Sequence, residues 1–182
     1  MDYLIVSINL LFALLMLTFV LYLGFVFWSF RKVVPYVPTP FKIIDKMIEL
    51  AQMKKGDKII DLGSGSGRIV LRAAKQLQGE VWGVENSKIL LLVSNIRKAF
   101  NRKKAKVKFV RGDIFKSALE PYDIIFCFLT TKGMKQLEKS FTQLRPGSKI
   151  ISYMFSLKNK ENFREQVVKL GKKYKIFIYQ KI

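Results

Sequence analysis

The chain has 182 residues, half of them hydrophobic, with 33 Lys and Arg against 13 Asp and Glu and no His, for a formal net charge of +20. Histidine bases and histidine metal ligands are therefore excluded. A single cysteine, Cys127, excludes an intramolecular disulfide and a cysteine zinc cluster, so no metal site is predicted. The positive charge lies almost wholly after residue 30. It calls for an anionic neighbour (phospholipid headgroups, nucleic acid or an acidic partner) or for a solvated basic surface.

From Tyr3 to Phe30 the chain carries no charge. As a helix this run is about 42 Å long, more than the ~30 Å hydrocarbon core of a bilayer needs. Tyr3 at one end and Phe27, Trp28 and Phe30 at the other are placed as interfacial aromatics. A cleaved signal peptide would start with a basic region and end on small residues; here the first charge is Asp2 and the run ends in Trp28-Ser29-Phe30-Arg31-Lys32. The expectation is an uncleaved anchor over residues 1–32. Arg31 and Lys32 put the residues beyond them on the cytoplasmic, or matrix-equivalent, side of the membrane.

Residues 33–57 form a junction. Pro35, Pro38 and Pro40 make it stiff and non-helical at first. A helix then starts near Phe41, with Thr39 as its cap and Pro40 at its first position. Ile43, Ile44, Met47, Ile48 and Ala51 recur at helical spacing, so this helix should lie on the domain after it.

From residue 58 to the end, strands and helices alternate. Strands are predicted at about 58–62, 80–85, 107–111, 122–129, 149–155 and 174–179. Helices are predicted at about 67–77, 87–101, 133–144 and 160–170. Within 122–129, residues 124–129 are continuously apolar, as for a strand covered on both faces. The fold class is therefore α/β, Rossmann-like, with a mostly parallel sheet of about six strands, preceded by one transmembrane helix. Ligands of such sheets bind at the carboxyl ends of the strands.

Those ends carry the chemistry. Asp61-Leu62-Gly63-Ser64-Gly65-Ser66-Gly67-Arg68 joins the first strand to its helix, and glycine lets backbone approach a ligand closely. A dinucleotide fingerprint would need its third glycine at position 68, which is Arg68; a Walker loop would need Gly-Lys-Ser/Thr, which is absent. Asp61 would repel a pyrophosphate but suits an ammonium. Glu85, ending the second strand, suits a ribose diol; Asp113, after the third, can accept from an adenine amino group. Ammonium, diol and adenine together describe S-adenosylmethionine (SAM).

The pattern Asp-x-Gly-x-Gly-x-Gly resembles motif I of the class I SAM-dependent methyltransferases. No Asn/Asp-Pro-Pro-Tyr/Phe follows the fourth strand, where enzymes that methylate nucleic-acid amines carry it, and Cys127 reads as a core residue rather than a nucleophile. A closer resemblance rests on the apolar segment, Pro35-Tyr36-Val37-Pro38, the glycine motif continuing through Gly67-Arg68-Ile69-Val70, and Gly83-Val84-Glu85-Asn86. Together these are similar to the membrane-anchored protein-lysine methyltransferases of mitochondria, which modify the adenine nucleotide translocase and the c-ring protein of the ATP synthase, and to their prokaryotic relatives. Ser66 and Ser87-Lys88 depart from that family's pattern.

The resemblance implies SAM binding by Asp61, Gly63, Ser64, Gly65, Gly67, Glu85, Asn86, Asp113 and Ile114. It also implies N-methylation of a lysine on a membrane or membrane-proximal protein. Phe128 and Leu129 would line the lysine pocket, and Tyr36 would either fold over it or anchor the junction at the interface. No residue is identifiable as the proton acceptor. The alternative is a tethered RNA or small-molecule methyltransferase. Arg97, Lys98, Arg102, Lys103, Lys104, Lys106 and Lys108 form a basic run that is either a solvated face or faces anionic headgroups. With Phe100 as its one aromatic, the run does not favour nucleic acid.

Overall fold

The computed structural model describes residues 2–30, 36–101 and 106–182. They fall into two units, Met1–Tyr36 and Val37–Ile182.

The first unit is one helix, α1 (Asp2–Phe30). Its stretch Tyr3–Gly24, 22 residues with mean hydropathy 2.7, is long and apolar enough to cross a membrane, and none of it is buried by protein. A helix apolar on every side, with no protein around it, suits a lipid solvent. Two of its hydroxyls bond within the helix: Ser7 Oγ donates to the Tyr3 carbonyl and Thr18 Oγ1 to that of Leu15, both at 2.8 Å. Hydrocarbon would leave them no other partner.

The second unit begins with α2 (Phe41–Ala51), whose Ile44, Met47, Ile48 and Ala51 are buried at helical spacing against the sheet. Each large side chain there stabilises the unit by about 1.5–3 kcal/mol on area. The cap differs from expectation. Pro40 is the N-cap, without a side-chain bond, and Thr39 is buried. Further ties fix α2: Arg72 meets Asp45 at 2.6 and 2.9 Å, and Lys149 Nζ donates to the Ala51 carbonyl at the helix end, at 3.0 Å.

The strands are β1 (Lys58–Leu62), β2 (Glu80–Glu85), β3 (Lys106–Arg111), β4 (Ile124–Cys127), β5 (Lys149–Tyr153), β6 (Phe163–Leu170) and β7 (Tyr174–Lys181). The helices between them are α3 (Arg68–Gln76), α4 (Lys88–Ala99) and α5 (Thr131–Thr142), with a 3-10 turn at Ile114–Lys116. One sheet holds all seven strands in the order β3-β2-β1-β4-β5-β7-β6. The first five are parallel; β7 runs antiparallel to both β5 and β6.

The predicted helix at 160–170 is therefore a strand, and the sheet has seven strands rather than about six. Phe163, Val167 and Leu170 fit a helical period, but Gly171, at φ 68°, turns the chain straight back into β7. As the edge strand, β6 carries exposed Arg164 and Lys169, which discourage further pairing. The fourth and fifth strands are also shorter than predicted, ending at Cys127 and Tyr153. Met154 adopts a left-handed φ of 72°, which ends β5.

Register places the site. On one face, Asp61 of β1 stands beside Gly83 of β2 and Phe126 of β4, and Phe126 stands beside Ile151 of β5. Two residues further toward the carboxyl ends, with strand alternation, the same face carries Glu85, Gly63, Phe128 and Tyr153. β1 and β4 are adjacent, but the chain leaves them toward opposite sides of the sheet, which opens a crevice between their ends.

Candidate active site

The glycine turn is built from backbone. Gly63, Gly65 and Gly67 lie at φ 78°, 53° and 76°. Three left-handed residues in alternation explain the spacing, because each would strain an L side chain. The N–H groups of Gly63 and Ser64 donate to the Val84 carbonyl at 3.0 Å, and Gly67 N–H to the Ser64 carbonyl at 2.8 Å. Beneath the turn lies the Phe109 ring: a Cβ on Gly67 would come within 2.6 Å of it, and one on Gly83 within 2.7 Å of Ser64 Oγ. Gly63 faces the crevice instead. It is exposed, and a Cβ there would meet only Leu129, at 3.7 Å.

Glu85 holds the turn from β2. One carboxylate oxygen accepts from Gly65 N–H at 2.9 Å and the other from Ser87 N–H at 2.8 Å. Each oxygen keeps a lone pair for a ligand. Asp61 is different. It is 3% exposed, and no donor or cation among the described residues contacts its carboxylate. Burial, with Glu85 nearby, pushes it up to about 8. A buried carboxyl held protonated for want of a partner suits an incoming ammonium, which would return it to the charged form. With the open face at Gly63 and the free lone pairs of Glu85, the residues present fit SAM.

The other predicted residues fall around this centre. The buried Ser64 hydroxyl points toward Gly83 and has no hydrogen-bond partner, so this residue closes the turn through its backbone. Asn86 is exposed, and its carbonyl accepts from Arg111 at 3.4 Å. Asp113 is exposed and caps the 3-10 turn, accepting from Phe115 N–H at 3.0 Å, while Ile114 is buried. Leu129 is buried and Phe128 half-buried. Tyr36 is exposed and belongs to the N-terminal unit; Pro35 lies outside the described residues, as do Arg102, Lys103 and Lys104 of the basic run.

Sequence reasoning missed two parts of the site. One is the aromatic wall around Phe128, of which Phe128 alone was expected. The Phe128 ring lies 4.8 Å from that of Tyr153 and 6.2 Å from that of Phe155, and Tyr153 lies 6.1 Å from Tyr174. The Tyr153 hydroxyl is pushed up by burial first and by Tyr174 second, so it stays protonated. The other is a brace: Arg97 of α4 donates to Ser66 Oγ at 2.9 Å and to the Ser66 carbonyl at 3.3 Å. Only the Tyr-x-Phe spacing after β5 could have signalled the first, and nothing local signals the second. Cys127 is buried beside Met134, its thiol pushed up to about 12 by burial, so it is no nucleophile.

Seven strands in this order, with β7 alone reversed and a glycine turn held between carboxylates at the first two strand ends, place the molecule among the class I SAM-dependent methyltransferases. Its cofactor is SAM. Likeness to known proteins narrows the class. Residues 61–164 match the family model described as the ANTKMT methyltransferase domain, and the chain belongs to that family. A protein-lysine N-methyltransferase of Saccharolobus islandicus is 33% identical over 134 residues, 71% of this chain and 82% of that one. An adenine nucleotide translocase lysine N-methyltransferase of Mus musculus is 30% identical over 135 residues, 71% of this chain and 58% of that one. Among solved structures, an RNA methyltransferase from Salinibacter ruber in complex with S-adenosyl-L-homocysteine superposes with a TM-score of 0.72 at 27% identity, covering 79% of this chain and 93% of that one.

Proposed function

We propose that the chain methylates the side-chain amine of a lysine on a protein held in or at a membrane. The observation that carries this reading is the family match over residues 61–164, a span that holds the glycine turn and both strand-end carboxylates, together with relatives named for methylating protein lysine. Glu85 would take the ribose diol, Asp61 the ammonium and Asp113 the adenine amino group, over a turn that Gly63, Gly65 and Gly67 keep low. SAM supplies an electrophilic methyl group on a sulfonium. The chain's own task is to orient the acceptor and have it arrive neutral. Free lysine has a pKa of ~10.4, and an apolar wall disfavours its ammonium form. Phe128, Tyr153 and Phe155 supply that wall beside the cofactor turn. Positioning and desolvation then do the work that an acid–base pair does elsewhere.

The membrane part of the reading is supported by the Tyr3–Gly24 span and by Arg31 and Lys32 just after the helix, which favour the cytoplasmic side for the residues beyond. Incubating the full chain and labelled SAM with membranes from a strain lacking it tests the whole. Label should appear in a membrane-associated protein as methylated lysine after acid hydrolysis. Label confined to RNA or to extracted lipid would overturn the assignment. The RNA arm has its own motive, the likeness to the Salinibacter ruber RNA methyltransferase.

A further inference from the structure

Helix α4 is the anomaly of the second unit. Seven of its twelve residues are apolar, yet only Ser94 is buried. Its neighbour α3 buries five of nine. Ile89, Leu92 and Ile96, with Phe100 at the C-cap, follow one another at spacings of three, four and four, which places them on one helical face opposite Ser94. They are 71%, 62%, 49% and 87% exposed. Scattered exposed apolar residues are ordinary, but a continuous stripe of four is a contact surface.

Charge says what kind. Between Glu85 and Asp113 the chain has no acidic residue and nine Lys and Arg. Among those described, Lys88 and Lys98 on α4 and Lys106 and Lys108 on β3 are exposed, and Lys88 lies about a quarter-turn from the stripe. The partner is therefore apolar where it meets the stripe and must accept a segment whose formal charge is wholly positive. An RNA strand would supply the phosphates but would want aromatic platforms, and the stripe is aliphatic except for Phe100. An anionic bilayer supplies both: acyl chains for Ile89, Leu92, Ile96 and Phe100, and phosphates for the cations. The same chain carries a helix with the length and composition of a membrane span.

We propose that α4 is an interfacial membrane helix, seated in the headgroup–acyl boundary of an anionic bilayer with its exposed stripe facing the lipid. This goes beyond a tether. A tether leaves the second unit free to turn, whereas a seated α4 fixes which face meets the membrane. The helix is also joined to the cofactor turn at three points. Ser87 N–H donates to Glu85, Ser94 packs where a Cβ on Gly67 would come within 3.0 Å of it, and Arg97 donates to Ser66. The bilayer would thus bear on the element that holds the turn.

The test uses the full chain reconstituted into phosphatidylcholine–phosphatidylglycerol vesicles, without cofactor, so that it stands apart from the activity assay. A bimane probe is attached in turn at Leu92→Cys, at Lys139→Cys on α5, and at Leu14→Cys in α1 as a positive control. Cys127 is buried and stays unlabelled. Lipids with brominated acyl chains are the quencher. The expected result is severalfold stronger quenching at position 92 than at 139, weakening when phosphatidylglycerol is left out. Quenching at 14 with 92 no different from 139 would overturn the proposal while leaving the anchor in place. Quenching at none of the three would overturn both. Cross-linking between two copies through position 92, without bromine quenching there, would assign the stripe to self-association and overturn it as well.

Discussion

The ends of β1 and β2 and the ends of β4 and β5 lie on one face of one sheet, side by side in register, and are made of opposite materials. The first pair is polar and bound to itself: Glu85 accepts from two backbone N–H groups of the turns around it, and the carboxylate of the buried Asp61 has no partner among the described residues. The second pair is aromatic, with Phe128 against Tyr153 and Phe155. On the proposed assignment, the difference lets one crevice handle two substrates with opposite needs. A charged cofactor is oriented by fixed dipoles and carboxylates, whereas an amine must be stripped of water and proton before it reacts.

Perturbing the polar half should change cofactor binding, and perturbing the aromatic half should change methyl transfer alone. The largest effect is expected from Gly67→Ala. A left-handed φ combined with a Cβ 2.6 Å from the Phe109 ring should cost about 2–4 kcal/mol of stability, read as a lowered denaturant midpoint. Glu85→Ala removes charge-assisted bonds to the turn and, on the proposed assignment, to the ribose. It should weaken SAM binding about 100-fold by calorimetry, from ~1.5–3 kcal/mol for a bond to a charged group. Unchanged affinity would break the division of the crevice.

Phe128→Ala should leave SAM affinity intact and lower kcat/KM for the protein substrate on the order of 10-fold, since it strips part of the wall that disfavours the ammonium. An equal loss of SAM affinity would show the two halves to be one.

Asp61 gives a pH signature. Its folded value, about 8, lies above the usual carboxylate value of 3.8. The folded state therefore holds this proton more tightly, and its contribution to stability is present at low pH and lost as pH rises through about 8. An ammonium beside the carboxylate reverses this, so SAM binding should release a proton and tighten as pH approaches about 8. Asp61→Asn should abolish that slope and make the cofactor-free protein more stable than wild type at alkaline pH. The smallest effect belongs to Arg97→Ala, a loss of about 0.5–1.5 kcal/mol from the brace on Ser66, seen as a few-fold faster hydrogen exchange in the turn.

The polar half was legible from the amino acids because its signals are local. Strand, glycines at alternate positions and a carboxylate at each strand end sit within a few residues of one another, and Gly63, Gly65 and Gly67 mark their own left-handed backbone. Of the aromatic half only Phe128 was named from the amino acids, since it meets Tyr153 and Phe155 only through the parallel pairing of β4 with β5, across more than twenty residues of chain. The same holds for β6. Phe163 to Leu170 carries a helix-like period, and only its partner β7 makes it a strand. In α4 an apolar sequence predicted a helix correctly but said nothing of which side faces the protein.

Arg68 stands where a dinucleotide site would have its third glycine. Its guanidinium donates to the Thr39 carbonyl at 3.3 Å and lies 5.0 Å from the centre of the Phe41 ring. The segment leading into α2 is thereby fastened to the residue that follows Gly67. Order in one is then coupled to order in the other, and such coupling is reciprocal. A cofactor that orders the turn should favour order in residues 39–41, and order there should favour the cofactor by the same coupling free energy. Strain arriving through that segment is likewise felt as a change in cofactor affinity.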